Sequence, residues 1–105
     1  MADTPFHWPG RRENDPAHER AAAFLVMDIQ QSPQWADELA MQVDAVAAGA
    51  LPKWERIGNA FRLELSADGA VIEDLVDETS EAQRLPLSEF REAVSAWIVK
   101  LNRNG

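Results

Sequence analysis

The chain has no cysteine, no tyrosine and only two histidines, and each absence removes a class of chemistry. Without cysteine there is no disulfide, no thiolate nucleophile and no zinc site of the cysteine type. This composition fits a reducing compartment and makes the cytoplasm the expected location. His7 and His18 lack the i, i+4 spacing of a helical metal pair and are expected at the surface. No serine lies in a Gly-x-Ser-x-Gly elbow, and no glycine-rich phosphate loop occurs. Asp68-Gly69 does not belong to a calcium loop. With Gly69 at the sixth position, the first, third and twelfth would be Glu64, Ser66 and Leu75, so the bidentate acid is missing. Paired carboxylates are available, but 105 residues leave little room for a sugar cleft. The expectation is a binding protein and not an enzyme, with no metal and no cofactor.

Long apolar runs and an excess of basic charge are missing as well. The longest apolar run, residues 21–27, falls far short of the ~20 residues that span a bilayer. Residues 1–10 lack the basic stretch and apolar stretch of a secretory signal. Lys and Arg number 10 against 18 Asp and Glu, a formal net charge of −8. Such a surface repels phosphate backbones and anionic lipids and attracts basic surfaces. Nucleic acid and membranes are therefore not expected as direct partners, whereas a basic protein domain is. The oligomeric state stays open.

What is present suits one domain: 105 residues, 46% of them hydrophobic, with four Trp and four Phe to fill a core. Residues 1–20 carry three of the six prolines and the mixed-charge run Arg11-Arg12-Glu13-Asn14-Asp15, the pattern of an irregular arm. In that arm Phe6 and Trp8 either pin it to the body or contact a partner. Residues 21–105 make the domain. Residues 22–30 read as a strand from Phe24-Leu25-Val26-Met27-Asp28-Ile29, with a helix over 19–30, started by Asp15-Pro16, as the alternative. Ser32-Pro33 starts a helix that carries Trp35, Leu39, Val43 and Val46 on one face. Gly49 ends it, and Pro52 bars its continuation.

Alternation from Ile57 through Phe61, Leu63 and Leu65 predicts a strand, and Asp68-Gly69 predicts a two-residue type I′ turn. With those two as the loop, Leu65 faces Ile72, Leu63 faces Asp74, Phe61 faces Val76, and on the other side Glu64 faces Glu73. Like charges opposed in this way destabilise a sheet unless something else meets them. Glu73, Asp74, Asp77, Glu78 and Glu81 then follow with no base among them. Leu87, Phe90, Val94, Trp97 and Leu101 predict a core-facing helix over 88–102 with Ser88 as its N-cap. The fold expected is α+β: a small three-stranded antiparallel sheet with a central hairpin, covered on one face by two helices.

The pattern Trp54-x-Arg56-x-Gly58-Asn59-x-Phe61-x-Leu63-x-Leu65, followed by Asp68-Gly69 and Val71-Ile72, resembles YacL-like proteins, short acidic bacterial proteins of unassigned function. The likeness takes in the helix from Trp35 to Gly49 and the closing Leu87, Glu89 and Phe90. It does not extend to residues 5–20, and the acidic run is denser here. The resemblance implies an α+β domain with a small antiparallel sheet and transfers no catalytic residue.

The functional expectation is a small cytoplasmic immunity protein. It would neutralise a basic toxin domain, a nuclease of a contact-dependent or polymorphic toxin system, by presenting carboxylates where the toxin binds phosphate. The contact residues expected are Glu64, Glu73, Asp74, Asp77, Glu78 and Glu81, with Phe6 and Trp8 as a second contact. The alternative is a free-standing YacL-like housekeeping protein that acts through protein–protein interaction or oligomerisation.

Overall fold

Asp15-Pro16 and Ser32-Pro33 each put a capping side chain before a proline at the first helical position. Both start a helix in the computed structural model, which describes residues 6–77 and 79–104. In α1, Pro16–Phe24, the Asp15 carboxylate accepts from the N–H groups of Ala17 at 2.9 Å and His18 at 3.3 Å. The helix runs on into a π-helical turn, Leu25–Ile29. The strand expected over residues 22–30 is thus corrected to helix. Its apolar run is dense because Ala21, Ala22, Phe24, Leu25 and Ile29 are all buried, and a short run of this kind does not reveal its period. The arm boundary expected at residue 20 falls inside this helix.

In α2, Pro33–Ala47, Ser32 caps the N-terminus through its hydroxyl, which accepts from the Trp35 N–H at 3.2 Å. Gly49 takes φ 82° just past the end, where a side chain would be strained. In α3, Leu87–Asn104, the stripe of Phe90, Val94, Trp97 and Leu101 is buried. The Phe90 N–H donates to Pro86 O at 3.0 Å, so the helix starts ahead of Ser88, the cap expected. A bidentate ion pair from Arg91 to Asp44 joins α3 to α2 at 2.8 and 3.1 Å.

The sheet is a four-stranded antiparallel meander in the order β1-β2-β3-β4, with β1 Lys53–Ile57, β2 Phe61–Ser66, β3 Gly69–Asp74 and β4 Gln83–Leu85. Three strands and two helices were the expectation; among the described residues there are four strands and three helices. The strand expected from residue 57 onward begins only at Phe61, as β2; residues 58–60 are a bend, and β1 before it was not expected. The short β4 has only Leu85 as an apolar signal and escapes the sequence pattern.

The β2–β3 register also differs from expectation. Ser66 pairs with Gly69, so the loop is Ala67-Asp68 and every pairing moves by two residues: Leu65 faces Ala70, Leu63 faces Ile72 and Phe61 faces Asp74. Gly69 takes φ 133°, and a Cβ on it would come within 2.6 Å of Leu85 O, so the glycine answers the approach of β4 and is not a loop residue. Phe61, Leu63, Leu65, Ala70, Ile72 and Leu85 face the helices and share one core with them.

Phe6 and Trp8 belong to that core too, at 4% and 5% exposure. The Phe6 ring meets Trp97 edge-on at 4.8 Å, and Trp8 stacks on His18 at 5.8 Å. The Arg12 N–H donates to His18 Nδ1 at 3.0 Å, which makes Nδ1 the acceptor and leaves Nε2–H to donate to Glu89 at 2.7 Å. His18, expected at the surface, is buried with both ring nitrogens engaged.

Candidate functional site

The π turn sets up the site. It carries Asp28 inward, where one carboxylate oxygen accepts from the Ala60 N–H at 2.9 Å and the other from the Phe61 N–H at 3.0 Å. Asp28 therefore clamps the bend at residues 58–60 that separates β1 from β2. Gly58 lies so close that a Cβ there would run into Asp28 Oδ2 and Arg56 Nη1. Both carboxylate oxygens hold backbone amides, so Asp28 positions the site.

Arg56 occupies a core-facing position of the edge strand β1, opposite Leu63. Its guanidinium lies 4.8 Å from the centre of the Trp35 ring and 3.9 Å from Asp28 Oδ2. Its Nε and Nη1 are buried and have no hydrogen-bond partner among the described residues. A cavity of about 470 Å³ opens beside it, lined by Asp28, Trp35, Arg56, Asn59 and residues 29–32. Gln30, on its rim, has φ 56°. That backbone is fixed by Trp97 Nε1, which donates to Gln30 O at 2.8 Å, and by the Gln30 N–H, which donates to Leu25 O at 2.8 Å. Irregular helix and left-handed backbone cost energy that the fold meets elsewhere, and they cluster at functional sites.

Outside the cavity the same end of the molecule exposes apolar side chains. Ile57, at the end of β1, is 69% exposed and Val76 is 76% exposed. Leu75 is tied to the bend through its N–H, which donates to Ala60 O at 2.8 Å. Met27 precedes Asp28, and Trp35, 46% exposed, covers Arg56. Of the described residues, the other exposed large hydrophobics are Met41 and Val99. Exposed apolar side chains gathered in this way mark interaction surfaces.

The acids expected to bind a partner divide between two places. Glu64 and Glu73 lie on the solvent face of the sheet, but the observed register sets Glu64 opposite Val71 and Glu73 opposite Arg62. Arg62 approaches Glu73 at 3.7 Å and Glu64 at 3.9 Å and bonds Glu55, while Lys53 reaches Glu64 at 3.2 Å. The bare like-charge pair is thus replaced by a mixed-charge ladder. Asp74 ends β3, and Asp77 and Glu81 lie on the segment after it; Glu78 lies outside the described residues. Asp74 folds the segment by accepting from the N–H groups of Val76 at 2.8 Å and Asp77 at 2.9 Å. The Thr79 hydroxyl, with the Thr79 N–H, bonds Asp77 and holds its carboxyl below the usual range. Arg20 anchors the segment by donating to Ile72 O at 3.0 Å and to the Ser80 hydroxyl at 2.5 Å. Glu81 is exposed.

Phe6 and Trp8 are both covered, as in the reading that pins the arm to the body. The sequence reading missed Asp28, Trp35 as an exposed residue, and Arg56. Arg56 carries no signal in the sequence: it is an odd number of residues from Leu63 and Leu65, so alternation alone puts it on the solvent face, and the pairing across the β1–β2 bend turns it inward. Among the described residues, no group of three or more His, Asp or Glu is placed to hold a metal ion. No helix among them is long and apolar enough to cross a membrane. No family model matches the chain, and comparisons with curated proteins and with solved structures found no match.

Proposed function

We propose that this protein works by binding another protein through the sheet end around residues 57–60 and 74–81. The observation that carries the reading is the coincidence, at one end, of exposed Ile57, Leu75 and Val76 with the acids Glu73, Asp77 and Glu81. An apolar centre with a charged rim is the anatomy of a protein interface, and an acidic rim selects a basic partner. The concrete form proposed is an inhibitor of the immunity type that covers a basic, nuclease-like toxin domain. A free-standing YacL-like role through the same surface is the second form, favoured by the quoted motif falling on the β1–β2 hairpin that builds this end.

The gene next to its own tests the first form, which expects it to encode a secreted protein with a basic C-terminal domain. Against that domain, reversal of Asp77 and Glu81 to Lys should slow association ~10-fold at low salt, and the wild-type rate should fall as salt rises. Ile57→Asp with Val76→Asp should raise the dissociation rate. Unchanged kinetics in both variants would remove this surface from the interface.

A further inference from the structure

We propose that β1 is the seam of a homodimer, in which a second copy of this chain lays its own β1 antiparallel to the first and joins the two four-stranded sheets into one. This inference is independent of the partner-binding role above and rests on the free edge of the sheet. β1 ends the strand order, so its outer side has no neighbouring strand among the described residues. The Gly58 N–H donates to Phe61 O at 2.9 Å, which turns the Gly58 backbone toward β2. Alternation along the β1–β2 register then turns Arg56 and Trp54 toward β2 as well and leaves the N–H and C=O groups of Lys53, Glu55 and Ile57 facing outward. A row of unpaired groups of this kind is a template for another strand. The opposite edge offers less, since β4 is three residues long and Pro86 follows it.

The sequence of β1 selects a second copy as the occupant. Two identical strands related by a twofold axis bond only when outward-facing residues stand opposite one another, so the axis passes through a residue of the strand. An axis at Lys53, Glu55 or Arg56 sets like charges face to face, and an axis at Ile57 pairs only the end of the strand. An axis at Trp54 sets Lys53 opposite Glu55 of the other copy, twice, and brings the two half-buried Trp54 side chains together on the core-facing side. Glu55 already stands opposite Glu64 across β1–β2, and Lys53 of the other copy brings a cation to that pair. A base on an edge strand ordinarily guards it against pairing. Here Lys53 meets an acid in the twofold register, and Arg56 is folded under the Trp35 ring with its guanidinium 3.9 Å from Asp28, so neither repels a second copy.

The test is sedimentation equilibrium of the whole chain from ~5 to ~500 μM, because so short a seam makes a small interface that associates weakly. A rise from the 11.7 kDa of one chain toward twice that mass is expected. Over the same range the Lys53 and Glu55 amides should come to exchange with deuterated water ~3-fold more slowly, as the seam covers them. Lys53→Glu and Glu55→Lys each set like charges across the seam, and each should weaken dimerisation at least ~10-fold. An equal mixture of the two variants puts opposite charges back at both places and should dimerise about as well as the wild type. A wild type that keeps the mass of one chain throughout overturns the proposal. Dimerisation that neither variant weakens, or that the mixture of two weakened variants does not restore, places the contact elsewhere and overturns it as well. Should either variant fail to fold, the wild-type amides decide, since Lys53 and Glu55 exchanging equally fast at both concentrations would rule out the seam.

Discussion

Two clusters of this molecule, joined through Trp97, use the same materials to opposite effect. At the N-terminal end Phe6, Trp8 and His18 meet Trp97, Arg12 and Glu89, and their rings are covered. At the sheet end Trp35, Arg56 and Asp28 also combine an aromatic, a base and an acid, yet the ring stays half exposed and apolar neighbours face solvent. Both ends need a fixed backbone. The difference is that one cluster closes on itself and the other is held rigid from behind, through Asp28 and Gln30, while its outer surface is left unfilled. Residues that finish a core and residues that await a partner are thus distinguished by what completes them and not by their type.

The largest expected effect breaks the rigid support of the open end. Asp28→Ala leaves the Ala60 and Phe61 amides without their acceptor and Arg56 without its counter-charge, and should cost ~3–5 kcal/mol in a urea melt. A loss below ~1 kcal/mol would mean that water replaces the carboxylate and that the bend is not clamped. Next comes the contrast between ends. Phe6→Ala and Trp8→Ala should each cost ~3 kcal/mol, because each removes a covered ring from a packed core. Trp35→Ala should cost under ~1 kcal/mol, the value of one cation–π contact at a partly exposed site. Equal losses at the two ends would erase the distinction.

Much of the closed architecture was legible in the sequence. Ser32-Pro33 starts α2, the 3-and-4 spacing from Leu87 to Leu101 gives α3, and alternation gives β2, because in each case burial repeats with the period of the element. The errors have physical causes too. Residues 22–30 are buried on so many sides that the helical period is hidden. Trp35 continues the α2 stripe by spacing but lies in its first turn, beyond the edge of the core. The hairpin register turned on which residue needs a positive φ, and that was decided by the approach of Leu85 to Gly69, a contact between residues far apart in sequence. The site was least legible. Arg56 reads as an ordinary surface base, and only the register shows that it points inward.

A smaller effect probes the closed end by pH. His18 Nε2–H and then Arg12 donate to Glu89 and hold its carboxyl below the ordinary 4.5. A depressed carboxylate stabilises the fold above its unfolded value, and the contribution disappears as pH falls through the lower folded value. Glu89→Gln should therefore be less stable than the wild type at neutral pH, with the gap narrowing as pH drops below 4.5. Urea midpoints collected across acid and neutral pH decide this. A gap that stays constant with pH would mean that shape, and not charge, makes this contact.

The smallest effect tests the solvent face of the sheet, where register replaces a repulsion by a ladder. Had Glu64 faced Glu73, neutralising either one would have raised stability. With Arg62 between Glu55, Glu64 and Glu73, Glu73→Gln should instead lower stability by no more than ~0.5 kcal/mol, the scale of an exposed ion pair. Arg62→Gln should cost more than Glu73→Gln, because it leaves Glu55 and Glu64 opposed on adjacent strands. Both losses should shrink in 1 M salt, where the screening length is ~3 Å. If Arg62→Gln raises stability, the base is not what holds these carboxylates together, and the acids of this face are then free to meet a basic partner alongside those of residues 74–81.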